Sequence, residues 1–99
     1  MAEVSAEALK QAVESQHGGK AVLNYVARIR EMFGKDLVWT GPVHVFDLEG
    51  HPKATRAYAW SAAVDGSDKR QFYAVLHLGG ITSPAEAVRA AIVAEHRPG

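Results

Sequence analysis

The chain has no cysteine. That excludes a disulfide framework, a thiolate metal site and a cysteine nucleophile, and it leaves packing as the source of stability. It has no excess of charge either, since eleven Lys and Arg balance eleven Asp and Glu. Proteins that live by neutralising phosphates show a basic excess or stripe. Neither nucleic acid nor an anionic membrane surface is therefore an expected partner. No apolar run approaches the roughly 20 residues needed to span a bilayer. The opening MAEVSAEALKQAVES lacks the basic-then-apolar order of a secretory signal. These absences together describe a cytoplasmic protein.

What is present is a chain of 99 residues, 47% hydrophobic and 22% charged. That is one domain with a single core. Apolar residues recur along its whole length, which excludes disorder. A formal net charge of zero also removes the repulsion that keeps copies apart, so self-association is expected.

Residues 3 to 16 read as a helix. Ala6, Leu9 and Val13 recur at helical spacing, Ser5 is placed to cap the start, and Gly18-Gly19 supplies the exit. Residues 20 to 33 carry two periodicities. Val22, Tyr25, Val26, Ile29 and Phe33 would make a helical face; Leu23, Tyr25, Ala27, Ile29 and Phe33 would make one side of a strand. The Val, Tyr and Ile content, and Gly34-Lys35 followed by the strand-like DLVW, favour a strand closing into a hairpin. Asp36 to Leu48 is the second strand, with Gly41-Pro42 marking a bulge or an edge. Ala54 to Val64 is the third, Asp65 to Asp68 a turn, and Arg70 to Leu78 the fourth. Ser83-Pro84-Ala85-Glu86 opens the last helix: serine caps, proline takes the first helical position and Glu86 closes the capping box. His96 and Arg97 suit its negative end, and Pro98-Gly99 stops it. The expected fold is α+β: helix, four-stranded antiparallel meander, helix, with both helices on one face of the sheet.

The last hairpin predicts which residues share a face. If Val64 opposes Lys69, then Trp60 opposes Tyr73, Tyr58 opposes Val75 and Arg56 opposes His77. The other side pairs Ala57, Ala59 and Ser61 with Leu76, Ala74 and Phe72. The alanine-rich last helix is expected against the small residues, with Phe72, Leu76 and Leu78 in the core. This leaves Arg56, Tyr58, Trp60, Tyr73 and His77 open on the aromatic side, joined by His44 or Val45. Large uncovered apolar patches mark interfaces, and Tyr, Trp and Arg dominate binding energetics. The competing reading makes this side a second core.

Other chemistry is thinner. No His-x-x-x-His or His-Glu-x-x-His places two of the five histidines on one helix face, so no metal is expected, although His44 and His77 lie on strands that a fold can bring together. Asp47, His51 and Ser61 are the types of a hydrolytic triad, but no nucleophile elbow surrounds a serine. Asp47, Glu49 and His51 cluster at a loop suited to acid–base work or simply to turn formation. Gly18-Gly19-Lys20 lacks the spacing and the following Ser or Thr of a phosphate loop. Were residues 20 to 33 part of the first helix, the layout would match a double-stranded-RNA-binding domain, but that family needs a basic start to its last helix and this chain has an acidic one.

The runs VHVFDLEGHPKATRAYAWS, KRQFYAVLH and SPAEAVRAAIVAEHR resemble uncharacterised small bacterial proteins of the kind encoded on mobile integron gene cassettes. The resemblance covers most of the chain from His17 onward. It implies a bacterial, mobile origin and transfers no activity, cofactor or site residue. The functional expectation is a small interaction protein, a homodimer through its sheet, with Arg56, Tyr58, Trp60, Tyr73, His77 and His44 at the interface and no cofactor or metal. The alternative is a small-ligand-binding protein or enzyme with its pocket between sheet and helices.

Overall fold

A computed structural model describes residues 5–63 and 68–96. Among them the chain forms α1 (Ala6–His17), β1 (Lys20–Phe33), β2 (Asp36–Glu49), β3 (Arg56–Ala63), β4 (Arg70–Leu76) and α2 (Pro84–His96). The strands make one antiparallel sheet in the order β1-β2-β3-β4. The α+β class, the helix–meander–helix order and the extended state of 20–33 are as the sequence indicates. Residues 3 and 4, Val64, the turn at 65–67 and the stop at 97–99 lie outside the described residues.

Helix α1 starts where Ser5 Oγ accepts the Ala8 amide at 3.1 Å, satisfying one of the orphan donors of the first turn. It ends at Gly18, whose φ of 82° lets its own amide reach the Glu14 carbonyl at 3.0 Å. The Glu14 carboxylate then accepts the Ala21 amide at 2.8 Å and pairs with Lys10 at 3.2 Å. One side chain thus ties the helix to the first residues of β1. The Ala21 amide first, and Lys10 second, hold this carboxyl below its ordinary 4.5. Its contribution to stability is present above pH 4.5 and is lost as pH falls through the lowered value. Glu14→Gln should therefore lower the thermal midpoint near neutral pH, and the gap from the parent should close in strong acid. A gap that stays constant across the titration would contradict this role.

The β1–β2 ladder is long and carries two irregularities. The register shifts between Leu23 and Tyr25 and again between Glu31 and Met32. Asn24 and, on the opposite strand, Val38 are the extra residues. The ladder passes Gly41 and Pro42 without a shift, with Pro42 opposite Arg28. Strand β3 pairs with β2 only from His44 to Asp47, so Pro42 lies where β2 has β1 alone as neighbour and a missing donor costs nothing. Gly41 lies under the Trp39 ring, where a Cβ would stand 2.9 Å from Cζ2.

The β3–β4 register is the one expected, Trp60 against Tyr73, Tyr58 against Val75 and Ala59 against Ala74. The strand ends differ slightly: β3 begins at Arg56, with Ala54 buried in the preceding turn, and β4 stops at Leu76.

The helices do not share a face. Leu9 and Val13 of α1 pack with Phe46, Leu48, Ala57, Ala59 and Ala74. Ala87 and Val88 of α2 pack with Val43, Val45, Tyr58 and Trp60, and Ala91 and Ile92 add to that cluster. Successive residues of a strand point to opposite sides, so α1 covers the small-residue face and α2 the aromatic one. The physical reason is volume. A close-packed interior needs large against small: Leu9 and Val13 fill the space that the alanines leave, and the alanines of α2 let it settle over bulky rings. Phe72 and Leu78, expected in the core, are 38% and 39% exposed.

Candidate functional site

The six side chains singled out in the sequence divide into three groups. Trp60 and Tyr73 stack with ring centroids 5.3 Å apart, and Trp39 tilts against Trp60 at 6.2 Å. This row crosses three strands beneath α2. Tyr58 and Trp60 are 1% and 2% exposed. The aromatic side is therefore a second core under α2, which corrects the expectation that Tyr58 and Trp60 stay open. The covering helix is positioned by its cap: Ser83 Oγ accepts the Glu86 amide at 3.2 Å, while the Glu86 carboxylate accepts the Thr82 amide at 3.0 Å. These bonds, those from Thr82 foremost, keep the Glu86 carboxyl below 4.5.

The second group is Arg56, Tyr58 and His77. The Tyr58 hydroxyl meets His77 Nδ1 at 2.5 Å, and the His77 amide donates to the Arg56 carbonyl at 2.9 Å. Arg56 Nε stands 3.5 Å from Asp47 Oδ1, and Asn24 Nδ2 donates to Asp47 Oδ2 at 3.0 Å. Burial pushes the Tyr58 phenol above 10.0, so it is a neutral hydroxyl at physiological pH. The cluster satisfies polar groups at one end of the aromatic core.

His44 is the third group. It lies on the α1 face, its ring near Phe46 at 6.3 Å, and cannot meet His77 across the sheet. His51 is absorbed by turn formation: its Nδ1 accepts both the Lys53 and Ala54 amides at 3.0 Å. No group of three or more His, Asp or Glu suited to a metal occurs among the described residues.

Two hollows lie beside α2. A groove of about 570 Å³ runs between the far end of the β1–β2 hairpin and α2, lined by Glu31, Met32, Asp36, Val38, Arg89, Ile92 and Val93. Glu31 is buried and bound to Arg89 Nε at 2.8 Å. A shallower hollow of about 440 Å³ adjoins it on the other flank of α2. Neither of these two hollows is lined by Arg56, Tyr58 or His77.

The feature that sequence reasoning did not single out is the rim of β1. This strand ends the sheet and pairs with β2 alone among the described strands. It is 14 residues long, yet Val22, Leu23, Tyr25 and Val26 are 42% to 46% exposed. Leu23 and Val26 oppose Phe46 and His44 on the α1 face; Tyr25 opposes Val45 on the α2 face. Apolar residues thus flank the unpaired backbone on both sides. The signal in the sequence was the double periodicity of 20–33, which puts apolar residues on both sides of the strand from Val22 to Val26.

Comparison with protein-family models, with curated proteins and with solved structures found no match to this chain.

Proposed function

We propose that the protein works by binding, as a homodimer joined edge to edge through β1. The observation that carries this is the uncovered apolar rim of a 14-residue edge strand. Proteins blunt their edges with short strands, charges, proline or bulges, because unpaired N–H and C=O groups template further pairing. Strand β1 is long, and past the bulge at Asn24 its charges are one-sided. Arg28 and Arg30 fall on the α1 side, while Tyr25, Ala27 and Ile29 leave the α2 side apolar as far as the neutralised Glu31. A second copy fits this edge because the chain has no net charge to overcome. Sedimentation equilibrium should give twice the chain mass of 10.7 kDa; a monomer across the micromolar range would end this reading.

With Tyr58 and Trp60 inside the core, the interface moves from the face of the sheet to its edge. We place the protein in a bacterial cytoplasm, on its composition and on the cassette-protein resemblance. No helix among the described residues is long and apolar enough to cross a membrane. The alternative, a small apolar ligand, is supported by the groove beside α2, whose walls include Met32, Val38, Ile92 and Val93.

A further inference from the structure

Resting on that reading, the pattern along β1 also fixes how the two edges meet. We infer that the β1 strands pair antiparallel about a two-fold axis through Ala27, with Tyr25 of each copy opposite the partner's Ile29. An antiparallel continuation of the sheet about a two-fold axis keeps the α2 side of both copies on one side, so residues that oppose each other must share a face. This requires the axis to pass through a residue. The regular stretch beyond the bulge is short, Tyr25 to Glu31, and few registers remain. An axis at Arg28 sets two guanidinium groups against each other. An axis at Ile29 sets Arg28 against the partner's Arg30. Like charges directly opposite are unfavourable. An axis at Val26 sets Tyr25 against the small Ala27, and the bulge at Asn24 then ends the ladder. The axis at Ala27 sets Arg28 against the partner's Val26, and it places an aromatic ring against a β-branched side chain twice, a favourable cross-strand pair.

The absence of native cysteine makes the register directly measurable. Single variants Val26→Cys, Ala27→Cys and Arg28→Cys would be oxidised with a mild disulfide catalyst and run on non-reducing gels. Directly opposed residues in an antiparallel pair have Cα atoms about 4.5–5.5 Å apart, within reach of a disulfide, whereas positions one residue off the axis are separated along the strand. Ala27→Cys should cross-link to near completion and at least roughly tenfold faster than its neighbours. Faster linking at Val26→Cys or Arg28→Cys, in a protein that sediments as a dimer, would overturn the register and leave the edge pairing standing. A protein that sediments as a monomer overturns both. Dimers with no cross-link at any of the three positions overturn the register.

Discussion

Trp60→Ala is expected to lower stability by about 3–5 kcal/mol, the usual range for a buried tryptophan. For a domain of this size that lowers the thermal midpoint by roughly 15–30 °C. Trp60 is 2% exposed, stacked on Tyr73 and leaned on by Trp39, and it lies under α2. Its removal opens a cavity that the alanines of α2 are too small to refill. Differential scanning calorimetry measures the effect. A midpoint within a few degrees of the parent would mean that the aromatic side is open to solvent and that α2 does not rest on it.

Val26→Lys is expected to weaken the dimer while leaving the fold intact. Val26 is 46% exposed within one copy, so the monomer loses little. In the paired edge it faces the partner's Arg28, and the two-fold axis repeats the contact. About 1 kcal/mol at each of two pairs amounts to on the order of a 30-fold rise in Kd. Adding Arg28→Glu should restore association, because the introduced ammonium then meets an opposite charge in the same place. Rescue by the second substitution separates a defined contact from a general intolerance of charge. If Val26→Lys dimerises as tightly as the parent, β1 is not at the interface.

Much of the architecture was legible in the residues, and the misplaced part has one cause. Period-two patterning, the Gly34-Lys35 turn and the Ser83-Pro84-Ala85-Glu86 start locate the elements because each is a local rule of backbone geometry. The β3–β4 register followed from the turn length and proved right. The placement of the helices did not follow, because small residues on a helix and small residues on a sheet look compatible by eye. Packing density demands the reverse: Leu9 and Val13 belong over Ala57, Ala59 and Ala74, and α2 over Tyr58 and Trp60. Once α2 moved to the aromatic side, Arg56, Tyr58 and His77 became partners inside the fold and His44 was left on the opposite face. The β1 rim was hidden for a related reason. Whether an apolar residue is exposed depends on which strand ends the sheet, a fact of topology that no window of sequence contains.

The functional account depends on a single arrangement, the outer edge of β1 paired with its own copy. In a lone edge strand alternate amides point away from the neighbouring strand and exchange with solvent, whereas in a paired one every amide is bonded. Amide hydrogen exchange across Tyr25 to Ile29, measured by NMR over a dilution series, reports on this residue by residue. The account predicts that all these amides are slow in concentrated solution and that every second one becomes fast as the protein is diluted into monomers. Alternate amides that exchange fast at every concentration would contradict it.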